Sequence, residues 1–360
     1  MKKRTALALL LASAILGMTA CGTDKPAETS EPAAGEETKE TAAEASGEVP
    51  FVGGTIYKFD DNFMSYVRRG METYAKDRIN LELVDSQNNQ AMQGDQVDTF
   101  LAKGAKALAI NLVDPKAAPS IIDKASANNV PVIFFNKEPD ESAMNSYDKV
   151  WFVGTDSKES GIIQGQLVVD AWNANKDTWD KNGDGKIQYV MLKGEPGHPD
   201  AEARTSFSIS TITDAGIEVE ELAIDTGMWD AAKATEKMDA WISSFGDKIE
   251  VVLCNNDGMA LGSIASLERA GYTGDKALPV IGVDAIPEAL EMIKSGKMFG
   301  TVLNDSKNQS QATVELARNV ALGKDPLEGT SWKFDDKKAV RVPYVAITKD
   351  NLNVAEETYQ

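Results

Sequence analysis

The chain has 360 residues, and 56 Asp and Glu against 37 Lys and Arg give a formal net charge of −19. No basic stripe is present to neutralise phosphates, which excludes nucleic acid as a partner. One His and two Cys, Cys21 and Cys254, exclude a metal cluster of His and Cys and leave no internal disulfide once Cys21 is modified.

The chain opens with Lys2, Lys3 and Arg4, an apolar run from Ala6 to Leu16, and then Met-Thr-Ala-Cys at 18–21. A positive start, a short apolar run and small residues before the cut predict a secretory signal over 1–20, too short to remain as a membrane span. The Cys after the small residues resembles a bacterial lipobox, with Cys21 diacylated as the mature N-terminus; an ordinary cleaved signal is the alternative. Two acyl chains would hold the protein on the membrane surface. Residues 22–48 are mostly Gly, Thr, Ser, Ala, Pro and Glu, with no aromatic residue. Such a stretch cannot bury enough apolar surface to fold, so 21–49 is expected to be a flexible tether.

From residue 51 short apolar runs alternate with amphipathic stretches. Strands are predicted at 51–57, 79–84, 106–112, 130–135 and 150–154, then at 187–193, 217–224, 249–254, 279–283 and 300–303. Helical periodicity fills most gaps, for example 62–77, 158–174, 201–214 and 257–270. Repeated βαβ units predict an α/β protein of two doubly wound parallel-sheet lobes, each with its ligand chemistry at the carboxyl ends of its strands.

Residues 180–188 read Asp-Lys-Asn-Gly-Asp-Gly-Lys-Ile-Gln, a calcium loop without its last ligand. Asp180, Asn182, Asp184, the Lys186 carbonyl and Gln188 fill positions 1, 3, 5, 7 and 9, and Gly185 fills the sharp turn at 6. Position 12 is Met191, which cannot bind a hard cation, and a strand-like run follows instead of a helix. In the 2-1-3-4-5 strand order the strands at 187–193 and 249–254 are parallel neighbours. That sets Glu250 beside Gln188 as the missing carboxylate, whereas Glu195 falls at the far end of its strand. A solvated Asn/Asp/Gly turn is the simpler alternative.

The strand ends are polar. In the first half they offer Tyr57, Asp61, Phe63 and Asn136, and in the second His198, Asp200, Arg204, Trp229, Asn256, Asp284 and Asn304. Carboxylates and amides suit the hydroxyls of a neutral polyol, and an aromatic residue from each half can sandwich the apolar face of a sugar ring. No glycine-rich phosphate loop is present. Cys254 and Trp residues 151, 172, 179, 241 and 332 are assigned to packing, and the positions from Glu356 to a solvated helix or fraying end.

The stretches TIYKFDDNFM, LAKGAKALAINLVDP, VPVIFFNKEP, VGTDSKESGIIQG, LKGEPGHPDAEAR, GMWD, KMDAW, GVDAIPEAL, GTVLND and VRVPYV resemble the bacterial galactose/glucose-binding proteins. These are sugar-binding members of the type I periplasmic-binding-protein family and serve ABC importers. The resemblance runs from residue 51 to about 352. It implies lobes of 50–155 plus 305–340 and of 156–304 plus 341–360, joined by three crossovers that hinge shut on D-glucose or D-galactose. It implies sugar contacts from all eleven strand-end residues, with Phe63 and Trp229 on the two ring faces. Asp61, Asp200 and Asp284 would accept hydroxyl hydrogens, while Arg204, His198 and the Asn side chains donate. It also implies a structural Ca²⁺ on Asp180, Asn182, Asp184, Lys186, Gln188 and Glu250. The expected partners of the monomer are the membrane subunits of an ABC permease, or a chemoreceptor if it acts chiefly as a sensor. A calcium-dependent glycoside-active enzyme using Asp61 and Asp284 is the rival class, but nothing positions a nucleophile and the loop lies at the wrong end of the sheet.

Overall fold

A computed structural model describes residues 49–359. The signal segment, Cys21 and nearly all of the tether lie outside the described residues. The chain first runs through β1 (Phe51–Ile56), α1 (Asn62–Ala75), β2 (Asn80–Asp85), α2 (Gln90–Ala102) and β3 (Ala107–Ile110). It continues through α3 (Ala118–Ala127), β4 (Val132–Phe135), α4 (Glu141–Met144) and β5 (Val150–Gly154). The next set is α5 (Ser157–Ala174), α6 (Lys176–Trp179), β6 (Lys186–Lys193), α7 (Pro199–Asp214), β7 (Glu218–Thr226) and α8 (Ala231–Phe245). Then come β8 (Val251–Cys254), α9 (Asp257–Arg269), β9 (Val280–Ile281), α10 (Pro287–Lys294) and β10 (Thr301–Leu303). The last elements are α11 (Ser306–Ala321), β11 (Ala339–Arg341), β12 (Val345–Ile347) and α12 (Leu352–Glu356).

The first lobe's sheet is parallel throughout, in the order β2-β1-β3-β4-β5-β11. The second lobe's sheet is β7-β6-β8-β9, continued toward β10 by parallel bridges at Ile281–Gly300 and Asp284–Leu303. In each sheet the second strand lies outside the first, with the third on its other side, which is the doubly wound order. The chain passes between lobes three times: after β5, between β10 and α11, and between β11 and β12.

Both faces of the sheets are covered, so the strands are apolar on both sides rather than alternating. In β3, Ala107 and Ala109 face one core with Met71, Val67 and α11, while Leu108 and Ile110 face another with Phe100, Ile121 and Phe134. Gly53 has no side chain because a Cβ there would sit inside the Phe100 ring, so glycine lets α2 rest on β1. Among the described residues no helix is long and apolar enough to cross a membrane.

One detail departs from expectation. β11 and β12 were not anticipated, because three-residue strands around Pro343 leave too short a pattern to read. The positions from Glu356 to Tyr359 are helical and partly exposed, in line with a solvated helix, but they are not all free of packing. After α12, Tyr359 packs edge-on against Tyr66 of the first lobe, with ring centroids 4.9 Å apart.

Candidate functional site

Because the strands are parallel, each lobe sends its strand carboxyl ends and its helix amino ends toward the same cleft. There the lobes line a space of about 350 Å³, part of it open to solvent, with all eleven strand-end residues together with Met64 and Lys137 in its walls. Tyr57, Asp61, Phe63, Met64, Asn136 and Lys137 line it from the first lobe, and His198, Asp200, Arg204, Trp229, Asn256, Asp284 and Asn304 from the second.

Several of these side chains also cap helices, and this aims them. Asp61 accepts the Met64 amide of α1 on Oδ1 (2.8 Å) and the Tyr57 hydroxyl on Oδ2 (2.6 Å). Asn256 accepts the Met259 amide at the start of α9 on Oδ1 (3.0 Å), which turns its NH₂ toward the cavity side and the Trp229 carbonyl (3.4 Å). His198 caps α7 by accepting the Asp200 amide on Nδ1 (3.1 Å). A ring that accepts at Nδ1 carries its proton on Nε2, so His198 offers the cavity a donor. Burial holds this ring neutral, at a pKa of about 3, despite the nearby Asp200. Asn136, Trp229 and Asp284 have φ of 62°, 62° and 121°, values that L residues seldom adopt. Strain of this kind persists only where the surrounding structure fixes it, and it clusters at binding sites.

Arg204 organises the second lobe's half and is 3% exposed. Its guanidinium donates to Asn255 O (2.7 Å), Tyr344 Oη (3.0 Å), Asp200 Oδ2 (3.2 Å) and Ser160 Oγ (3.2 Å), and lies 3.9 Å from Asp284 Oδ1. Burial alone would favour a neutral Arg, but Tyr344, Asp200 and Asp284 together hold it firmly charged. Asp200 shows the reverse balance. Burial would raise its pKa, yet Arg204, His198 and the Ser157 hydroxyl (2.5 Å) keep it below the ordinary value. Asp284 is pushed up to about 7 by burial, with Arg204 and Asn304 opposing. Its amide partner Asn304 donates to Oδ1 at 3.1 Å and is itself held by Gln309 (2.6 Å).

Lys137, Met64, Glu195 and Tyr344 belong to the site's surroundings and were missed in the sequence. Lys137 is 1% exposed, lies 4.0 Å over the Tyr57 ring and bonds across the cleft to Glu195 Oε2 (3.1 Å). Lys and Glu residues in polar loops read as solvated, and the structure buries Lys137 against Glu195 of the other lobe, which stays partly exposed.

The loop at 180–188 sits at the opposite, amino end of the second sheet. Glu250, 1% exposed, lies beside Gln188: its amide donates to Gln188 O (2.9 Å), and its Oε2 accepts the Gln188 amide (3.1 Å). Its Oε1 accepts the Lys181 amide (2.7 Å). Asp180 Oδ1 is buried without a hydrogen-bond partner. Among the described residues no three His, Cys, Asp or Glu side chains already converge on one point. Glu195 lies at the opposite, carboxyl end of β6, paired with Lys137.

A family model described as a periplasmic binding protein domain matches residues 52–325. The chain is 56% identical over 304 residues to the D-galactose/methyl-galactoside binding periplasmic protein MglB of Haemophilus influenzae, covering 84% of this chain and 90% of that protein. It is 30% identical over 344 residues to a xylitol-binding protein of Mycolicibacterium smegmatis, covering 95% and 84%. A solved ABC transporter solute binding protein of Bacillus halodurans, with bound myo-inositol, superposes with a TM-score of 0.73 at 28% identity, over 88% of this chain and 100% of that one. These relatives are binding proteins rather than enzymes, and the two-lobed parallel α/β architecture is shared with them. The chain belongs to the periplasmic binding protein family of solute receptors.

Proposed function

We propose that the protein captures a neutral hexose, D-galactose or D-glucose, on the outer side of the cell membrane and delivers it to an ABC permease. The observation that carries this reading is the cavity itself. Three carboxylates, three amides, an Arg and an Nε2–H donor from two lobes line one cavity, with Phe63 and Trp229 among its walls. Such a lining pairs with hydroxyls in both directions, as planar amides and carboxylates do. Contacts drawn from both lobes bind the closed form better than the open one, so sugar shifts the population toward closure. The galactose-binding relative, at 56% identity, supports the same ligand class. The closed monomer is the form presented to the permease subunits, and a chemoreceptor would read the same form. Residues 2–21 support diacylation of Cys21 as the membrane anchor. Calorimetric titration with both sugars tests the reading. Tight binding of at least one is expected, and no heat at micromolar sugar with either would overturn it.

The Gly194 position gives a mutational check. A Cβ there would overlap the Trp229 indole. Gly194→Ala should displace the ring and weaken hexose binding about fivefold or more, since aromatic contacts contribute around 1 kcal/mol. Unchanged affinity in a titration of this variant would remove Trp229 from the sugar site.

The 180–188 loop supports a structural Ca²⁺ held by Asp180, Asn182, Asp184, the Lys186 carbonyl, Gln188 and Glu250. These are all oxygen donors, as a hard cation requires, and the unpartnered buried Asp180 Oδ1 fits a cation neighbour. When bound, the ion clips the loop to the starts of β6 and β8. At a hundredfold excess over its dissociation constant it should add about 2.7 kcal/mol of stability. Chelation should therefore lower the unfolding temperature, while sugar binding at low temperature persists. An unfolding temperature indifferent to calcium would show that the loop holds no such ion.

A further inference from the structure

A second cavity adjoins the first. It encloses about 720 Å³, open to solvent, and its walls include Asn88, Val113, Lys116, Glu195, Gly197 and His198. His198 lines both spaces. Between them stands Lys137, a wall of the inner chamber, whose ammonium donates to two walls of the outer one: Val113 O (3.1 Å) and Glu195 Oε2 (3.1 Å). Lys137 follows β4 in the first lobe and Glu195 follows β6 in the second, so the partition is complete only when the lobes have met.

We infer that the Lys137–Glu195 pair is a specificity device: it seals the hexose chamber from the outer cavity and restricts the protein to free or minimally substituted hexoses. This rests on the hexose reading above. A glycoside whose substituent is larger than methyl must send it somewhere, and the outer cavity, which shares the His198 wall with the chamber, offers it room. Occupying that passage parts Lys137 from Glu195. The ammonium is almost fully buried, and a buried charge stripped of its partner is strongly unfavourable. The bulky ligand thus meets its penalty in the closed state, where the free sugar gains its contacts, and this differential repulsion sets selectivity. With the pair removed, the two spaces join and the outer one can take the substituent.

The test is calorimetric titration with whichever of D-galactose and D-glucose binds, and with the p-nitrophenyl α- and β-glycosides of that hexose. The readout is the ratio of free-sugar to glycoside affinity. Wild-type protein should disfavour both glycosides by about 100-fold or more. Glu195→Ala should narrow the ratio at least about tenfold for one anomer, and Glu195→Gln, which can still accept from Lys137, should keep it near wild type. If Glu195→Ala loses sugar binding altogether, the double variant Lys137→Met, Glu195→Ala removes both charges and is read by the same ratio. Glycosides bound by wild type within tenfold of the free hexose would overturn the inference. So would a wild-type ratio in the alanine or double variant that still binds sugar. Failure of wild type to bind either free hexose would instead overturn the hexose reading on which it rests.

Discussion

Replacing Arg204 with methionine should abolish hexose binding and lower stability by about 3–5 kcal/mol, the usual consequence of removing one partner from a buried ion pair. Methionine restores much of the apolar volume but none of the donors. Asn255 O, Tyr344 Oη, Ser160 Oγ and Asp200 Oδ2 each lose a bond, and Asp200 and Asp284 keep their burial without their cation. The pH dependence separates this from simple loss of packing. In the wild type Asp200 is held below its ordinary pKa, so its stabilisation is present above an unfolded pKa of about 3.9 and lost as pH falls through the lower folded value. Without Arg204 that carboxyl, like Asp284, should move upward, and protonation then relieves the folded state. The variant's deficit against wild type should therefore shrink between pH 8 and pH 5, as measured by chemical unfolding. A deficit below 1 kcal/mol, or one independent of pH, would contradict the role assigned to Arg204. Arg204→Lys should recover part of the stability but little binding, because a point charge cannot reproduce the fork.

The second large effect is expected at Asp61. Asp61→Ala should weaken hexose binding by at least about 100-fold, since hydrogen bonds to a charged acceptor are worth about 1.5–3 kcal/mol each and a sugar hydroxyl left unpaired adds to the loss. The fold should survive with a smaller deficit, about 1 kcal/mol, from the lost cap on α1. Asp61→Asn keeps an oxygen for the Met64 amide but offers the sugar a weaker acceptor, so its affinity should fall between the two. Titration and thermal unfolding of all three proteins separate the cap from the contact. Wild-type affinity in the alanine variant would take Asp61 out of the site.

Much of this was legible because a doubly wound sheet makes position along a strand informative. Once the βαβ rhythm placed the strand ends, Asp61, Asn136, Asp200 and Asp284 had to face one cleft. The same order set Glu250 beside Gln188, although no local motif joins residues sixty positions apart. What could not be read depends on closure. Lys137 adjoins Asn136 yet looks like an ordinary surface lysine, and only Glu195 from the other lobe makes it a buried one. Tyr344 was equally hidden. It lies on the third crossover, after a strand of three residues, and its hydroxyl reaches both Arg204 and Thr155 (2.9 Å) from there. Nor did the pattern show that Asp61, His198 and Asn256 each cap a helix, which leaves His198 its Nε2–H and Asn256 its NH₂, while the second oxygen of Asp61 holds the Tyr57 hydroxyl at the cavity wall. That double use explains why short side chains recur there: the helix amide fixes the rotamer before any ligand arrives.

The decisive measurement is a crystal structure determined with D-galactose, or with D-glucose if calorimetry favours it. One hexose is expected in the inner chamber, its ring between Phe63 and Trp229, with Asp61 and Asn136 bonding to it from one lobe and Asp200, Arg204 and Asp284 from the other. A sugar held by one lobe alone, or lodged outside that chamber, would contradict it.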